Sequence, residues 1–222
     1  MKSRLNRIKP QLVGRELYAD EIRAIFEKEL NPLGVEVTTY PYGEDAPDGG
    51  IGKNQISANG FFEAQEWDFE AIDEPVDPIN IELMLVLYSE DEPICINNKD
   101  WLFLAHQVEQ TLEHEMIHRE QNQKRFHNQG GESRPIYDQH LSEEDKQIVY
   151  LSDPDELDAY SNDVKLDLLK HYSYMGAYAR LREYKKIKQD ESPIFAEYVD
   201  TFGWNSETVH TLVKKTLKRL ET

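Results

Sequence analysis

The stretch that decides the fold is Leu112-Glu113-His114-Glu115-Met116-Ile117-His118, an H-E-x-x-H motif. Residues four apart on a helix lie on the same face, one turn from each other. If this stretch is helical, His114 and His118 can present two imidazole nitrogens to one metal ion. Glu115 is rotated by about 100° from His114, so it flanks such a site and does not join the ligands.

The surrounding sequence favours this interpretation. A breaker-free segment from Lys99 to about Phe126 predicts a long helix, and Asn98 or Asp100 is a candidate N-cap. Gly130-Gly131 is expected to follow the helix. The apolar residues of the segment recur at helical spacing: Trp101, Leu104, Ala105, Val108, Leu112 and Met116. A metal site is therefore favoured over a solvated helix face that happens to carry two histidines.

A catalytic zinc ion needs a third protein ligand and keeps one open position for water or substrate. The metzincin extension would require Gly at position 121 and His at position 124, but the chain has Gln121 and Lys124, so that class is excluded. The best candidate is Glu156. It lies near the start of a second predicted helix, for which Asp153 is a suitable N-cap and Pro154 a suitable first-turn residue.

The two motifs together resemble the gluzincin branch of the zincin-fold metallopeptidases. The resemblance rests on His114-Glu115-x-x-His118 followed by Glu156-x-x-Ala159, and it covers residues 80–170. Glu113 before the first motif and Arg119-Glu120-Gln121 after it are similar to small peptidases encoded by bacteriophages. Glu156 follows His118 by 38 positions, a longer gap than in the compact members.

The resemblance implies a fold, a cofactor and a reaction. It implies Zn²⁺ as the cofactor, with His114, His118 and Glu156 as ligands. Glu115 would be the general base that takes a proton from water, and the substrate would be a peptide or protein. An oxyanion donor is also expected, and four residues are candidates: Tyr160, His171, Tyr198 and His210.

Alternatives for the third ligand stay open. His140 would complete a site of three imidazoles, and Asp155 and Asp158 are nearby acids. Asp158 has a second candidate role, accepting the N–H of a ligating histidine. Three further histidines are expected to be ordinary surface or core residues: His106, His127 and His171.

The length and composition of the chain predict a single folded domain. The 222 residues are expected to form one zincin-like domain over residues 1–222. Residues 14–125 would supply a helix, a sheet and the metal helix, and residues 142–222 a helical part carrying the third ligand. Cys95 is the single cysteine, which excludes an internal disulfide and is compatible with the cytoplasm of a host cell or with a virion.

The net charge of the chain limits the classes of partner that it is expected to bind. The net charge is −18, and residues 42–92 contain fourteen acidic residues against one basic residue, Lys53. This balance disfavours nucleic acid and anionic membranes as partners. No apolar run is long enough to span a bilayer, and no apolar stretch of a secretory signal follows the basic N-terminus.

Two other function classes remain. The first is a phage virion-structural or interaction protein that has a zincin-like fold and a non-catalytic zinc site, for which phage structural proteins would be partners. The second is an acidic inhibitor or nucleic-acid mimic, which the charge of residues 42–92 would suit. A closed fourth coordination position would favour the first over an enzyme.

The predicted order of elements is α+β, with a small antiparallel or mixed sheet behind the H-E-x-x-H helix. A helix is expected over Gly14–Leu30 and a loop over residues 41–60. Strands are expected over Gly34–Tyr40, Gly60–Phe69 and Ile79–Ser89. The C-terminal part is expected to be helical, with breaks near Gly176, Ser192-Pro193 and Gly203. In the zincin layout an edge strand would hold an extended substrate, and an acidic edge would favour basic peptides.

Overall fold

The computed structural model describes residues 1–41, 55–62, 81–89, 91–129 and 141–221, without the side chains of residues 125–129. The described part divides into two compact units, residues 1–119 and 120–222. Its helices are α1 (Lys2–Leu12), α2 (Ala19–Leu30), α3 (Asn98–Gln129), α4 (Glu143–Ser152), α5 (Pro154–His171), α6 (Tyr174–Arg182), α7 (Pro193–Phe202) and α8 (Glu207–Leu220). Its strands are β1 (Glu16–Leu17), β2 (Val35–Pro41), β3 (Ile56–Phe62), β4 (Ile81–Leu87) and β5 (Ile94–Cys95).

The first unit contains a mixed sheet with the strand order β2-β4-β3. Strand β4 is central, and all of its side chains except that of Glu82 are apolar, which suits a strand covered on both sides. It pairs in parallel with β2, placing Val35 opposite Ile81, and antiparallel with β3, placing Gly60 opposite Leu83. The α+β class, with a small mixed sheet, is confirmed for the described residues.

The three predicted strands exist, but their limits differ from the prediction. The strand expected over Gly60–Phe69 begins earlier, at Ile56, and thereby takes the end of the segment predicted as a loop over residues 41–60. The early start is favoured because Ile56 and Ala58 are buried, so the period of two extends N-terminal of Gly60. The acidic turn expected around residues 73–75 lies outside the described residues.

The helix predicted over Gly14–Leu30 begins only at Ala19. Glu16 and Leu17 instead form β1, which pairs antiparallel with β5. Tyr18 then occupies the N-cap, where its backbone N–H donates to the Glu21 carboxylate over 3.0 Å. A strand pairing and a cap therefore replace the first helical turn that the periodicity alone predicted.

Helix α1 was not predicted from the sequence. It carries Pro10 and many charges, which hide its helical pattern, but its apolar residues lie on one face and are buried in the core of the first unit: Leu5, Ile8 and Leu12. The same core takes residues from α2, the sheet and the N-terminal half of α3. Cys95 is half-buried on β5.

The second unit is helical and has its own apolar core. Helices α5 and α8 face each other most extensively, and α6 and α7 pack beside them. The predicted break at Gly203 is confirmed: this residue ends α7 with φ +80°, in the region that favours glycine. The break expected near Gly176 is also confirmed: α5 ends at His171 and α6 begins at Tyr174. Gly176 itself lies in the first turn of α6, where its N–H donates to the Ser173 hydroxyl over 3.3 Å.

Candidate metal centre

Helix α3 carries the H-E-x-x-H motif and is held in place on both sides of it. Its start is capped by Asn97, whose side-chain oxygen accepts the N–H groups of Lys99 over 2.8 Å and Asp100 over 3.0 Å. The predicted caps, Asn98 and Asp100, are therefore wrong by one to three positions. The buried residues Trp101, Leu104, Val108 and Leu112 attach the helix to the core of the first unit.

A second anchor lies directly after the motif. The Arg119 guanidinium donates a hydrogen bond of 2.8 Å to the carbonyl oxygen of Leu33. Leu33 precedes Gly34, which has φ +72° and turns the chain into β2. The end of the motif is therefore tied to the start of the sheet, so the histidines are carried on a segment restrained at both ends.

The two histidines face each other. Their Nε2 atoms are 3.0 Å apart, and the exposed fractions of His114 and His118 are 8% and 4%. Two neutral imidazoles share such a contact only when one nitrogen bears the proton and the other does not. Two nitrogens bound to one tetrahedral zinc ion, with Zn–N near 2.0–2.1 Å, would lie about 3.3 Å apart. The observed separation thus suits a shared ion with small adjustment.

The Glu115 side chain lies beside β3, an outer strand of the sheet formed by the described residues. Its Cγ lies 3.3 Å from where a Cβ would stand on Gly60, and Thr111, one turn earlier, would be 2.3 Å from the same position through its Cγ2. A side chain at position 60 would collide with α3. The glycine allows the strand to pass close to the side chain of Glu115, the residue that the sequence predicted as a general base.

Glu156 is held at the start of α5 as its sequence suggested. The Asp153 side chain accepts the N–H of Asp155 over 2.8 Å, and Pro154 occupies the first turn. Glu156 is only 2% exposed, and Ala159, one turn later, is fully buried. A carboxylate so removed from water needs polar partners, because burying a charge without them is costly.

Three tyrosines of the second unit pack together and interact electrostatically with this carboxylate. The rings of Tyr150 and Tyr160 are nearly perpendicular with centroids 6.4 Å apart, and those of Tyr160 and Tyr198 are 5.7 Å apart. Burial and the Glu156 charge raise the pKa of all three hydroxyls, that of Tyr160 to about 12. These groups therefore remain protonated donors in the working range of pH.

The structure brings three of the predicted residues together. One donor atom each from His114, His118 and Glu156 lies within 4.8 Å of the others, and all three residues are buried. These side chains could hold a metal ion. Within the described residues they form the group of His, Cys, Asp and Glu close enough to share one.

The other candidates are placed differently. His140 and the His127 side chain lie outside the described residues. Most of the acidic segment 42–92 also lies outside them. Asp158 forms ion pairs with Lys215 over 3.3 Å and Arg219 over 3.2 Å. Partial burial raises the pKa of Asp158, but these two cations outweigh it and lower the pKa overall.

The candidate oxyanion donors also differ in availability. The Tyr198 hydroxyl donates to the carbonyl oxygen of Leu151 over 3.0 Å, and His210 is 3.0 Å from the Tyr184 hydroxyl. His171 is exposed at the end of α5. Tyr160 packs between the rings of Tyr150 and Tyr198, and its hydroxyl interacts with that of Tyr150.

Sequence reasoning missed Tyr150 and Gly60. No local pattern marks them, since their roles depend on residues distant along the chain. Comparison of the chain with protein-family models, with curated proteins and with solved structures found no match. Among the described helices, none has both the length and the apolar character needed to cross a bilayer.

Proposed function

We propose that the protein is a zinc-dependent metallopeptidase of the gluzincin-like, zincin-fold kind. The observation that carries the proposal is the 3.0 Å approach of the His114 and His118 Nε2 atoms, with the Glu156 carboxylate among the same donor group. Two imidazoles and one carboxylate make up the donor set of many catalytic zinc sites, which leave the fourth position open.

The donor set fits zinc better than a hard cation. Mg²⁺ and Ca²⁺ prefer six or more oxygen ligands, whereas imidazole nitrogens suit zinc and its transition-metal neighbours. When bound, zinc supplies a Lewis acid that polarises a carbonyl group and brings the pKa of water toward about 7. His114, His118 and Glu156 would hold it.

The remaining chemistry belongs to Glu115. Its offset of one residue from His114 keeps it out of the ligand set but beside it, which is the place for a general base that accepts a proton from the attacking water. It then returns the proton to the leaving amine. The close approach of β3 at Gly60 supports this role, because it brings the backbone of an outer strand next to Glu115.

An extended peptide would lie along β3. This strand pairs with β4 on one side and is an outer strand of the described sheet. A substrate peptide added to β3 would form backbone hydrogen bonds with it. The protein would therefore recognise the backbone of the peptide more strongly than its side chains. The acidic composition of residues 42–92 would favour basic peptides.

The test separates metal binding from hydrolysis. Glu115→Gln keeps the shape of the side chain but removes the base. Zinc content by elemental analysis should stay near that of the wild type, while cleavage of a peptide library, measured by mass spectrometry, should fall by about 10²–10⁴-fold.

His114→Ala is the matched control, since it should lose both zinc and cleavage. Glu113→Gln, one position before the motif, should lose neither. If Glu115→Gln cleaved at the wild-type rate, the assignment of the base would be wrong. A wild-type protein that bound zinc and cleaved nothing would support the non-catalytic interaction protein instead.

A further inference from the structure

The hydroxyl group of Tyr150 is part of the environment of Glu156. Tyr150 lies in α4 and Glu156 in the first turn of α5, and Asp153 caps α5 between them. Glu156 and Tyr160 lie one turn apart on the same face of α5, and the Tyr150 ring packs against that face, its centroid 6.4 Å from that of Tyr160. Burial and the contacts of the Tyr150 hydroxyl with Tyr160 and Glu156 raise the pKa of Tyr150. Tyr150 and Glu156 lie six positions apart in the sequence, so a short capped connection brings them together.

The surrounding packing orients this hydroxyl. Tyr160 meets the Tyr150 ring edge to face on one side and the Tyr198 ring on the other. Tyr198 in turn donates to the carbonyl oxygen of Leu151, the residue that follows Tyr150. Each ring is thus fixed by the next one, and the Tyr150 ring has little freedom to turn away from Glu156.

We propose that Tyr150 is a positioning residue that holds the Glu156 carboxylate in the orientation required to bind a metal ion. This inference rests on the proposed zinc site. A carboxylate can bind through either oxygen and can rotate about its terminal bond. A fixed donor on one oxygen stops that rotation and leaves the other oxygen to the metal, in the manner of the outer hydrogen bonds that orient metal ligands.

Tyr150→Phe tests the inference because it keeps the ring and removes the donor. Zinc dissociation constants of the intact protein, measured by competition with a chromophoric chelator, should rise by about 10- to 100-fold. The visible spectrum of the Co²⁺-loaded variant should also differ from that of the wild type, since it reports the geometry of the ligands.

Two variants separate positioning from packing. Tyr178→Phe removes a hydroxyl that donates to Glu221 over 3.3 Å, and Tyr172→Phe removes one that donates to Glu191; neither residue belongs to the group of Tyr150, Tyr160 and Tyr198. Both should keep the zinc affinity and the Co²⁺ spectrum of the wild type, even where thermal unfolding shows a lower stability.

The outcomes distinguish the two proposals. If the wild type binds no zinc, the proposed function fails. If the wild type binds zinc and Tyr150→Phe binds it equally well with the same Co²⁺ spectrum, the positioning role is wrong while the metal site stands. A loss of zinc affinity in Tyr178→Phe or Tyr172→Phe equal to that in Tyr150→Phe would also overturn it, since a general loss of packing would then explain all the losses.

Discussion

At the level of single residues, the candidate centre consists of polar groups that are withdrawn from water. His114, His118 and Glu156 are each less than one-tenth exposed. Their desolvation lowers the free energy of unfolding unless bonds within the protein, or a bound cation, offset it. A functional site commonly lowers stability in this way, because the groups are arranged for a ligand and not for the lowest energy of the empty fold.

Glu191 shows the opposite case, a buried acid with a structural role. Arg180 donates three hydrogen bonds to it, of 2.7, 2.9 and 3.1 Å. The Lys188 N–H donates to it over 2.8 Å, and the Tyr172 hydroxyl donates to it as well. Burial raises the pKa of Glu191, but these bonds and the Arg180 charge lower it from 4.5 to about 2. Its charged form therefore stabilises the fold.

The stability contributed by Glu191 should depend on pH. A pKa lowered by folding gives stabilisation that is present above the ordinary value of 4.5 and is lost as the pH falls toward 2. Glu191→Gln should be less stable at neutral pH and should lose less stability on acidification through that window. Urea unfolding at a series of pH values measures both.

The control for this prediction is Glu144→Gln, a change of an exposed acid in the first turn of α4. Its acid dependence should follow that of the wild type. A Glu191→Gln variant whose stability fell with pH as steeply as the wild type would show that the Arg180 and Tyr172 contacts do not hold the carboxylate charged.

At the level of elements, the contact between β3 and α3 depends on one glycine. A Cβ on Gly60 would stand 2.3 Å from the Thr111 Cγ2, well inside van der Waals contact. Gly60→Ala should lower the free energy of unfolding by about 1–3 kcal/mol, because a strand or a helix must move. It should also reduce cleavage, since β3 lies beside Glu115.

Thr111→Ser provides the matched rescue, because it removes the methyl group that the new Cβ would meet. The double variant should recover most of the lost stability, and denaturant unfolding of all four proteins gives the coupling energy. Additive effects of the two substitutions would show that Gly60 and Thr111 do not meet as described.

Prediction from sequence succeeded where an element is specified by its own residues. The α3 helix follows from apolar spacing, and α5 from Asp153 and Pro154 at its start. The first part of Gly14–Leu30 was predicted wrongly because the partner strand at Ile94–Cys95 lies far along the chain. Propensity within a window carries no information about such a partner.

At the level of the whole molecule, metal binding should stabilise the fold. A ligand that binds only the native state raises the free energy of unfolding by about 2.7 kcal/mol at 100 times its dissociation constant. Removing zinc with a chelator should therefore lower the melting temperature in scanning calorimetry, and adding zinc should restore it.

His114→Ala is again the control: its melting temperature should not respond to zinc or to the chelator. Equal responses in the variant and the wild type would place the stabilising metal elsewhere. The net charge is −18, so repulsion between acidic side chains affects the melting temperature. The melting temperatures should therefore be compared at constant ionic strength, which keeps the screening of that repulsion the same.

The amino-acid sequence by itself determined what one helix can encode: two imidazoles one turn apart with Glu115 beside them, since the helical repeat sets those distances locally. Tertiary structure decided the rest. Packing between distant segments brings a Glu156 oxygen to within 4.8 Å of the nitrogens of His114 and His118, which precede it by 38 positions or more. It also passes β3 over α3 at Gly60 and turns Tyr150 toward Glu156. Such contacts arise from the burial of apolar surface over whole elements, which no short motif specifies.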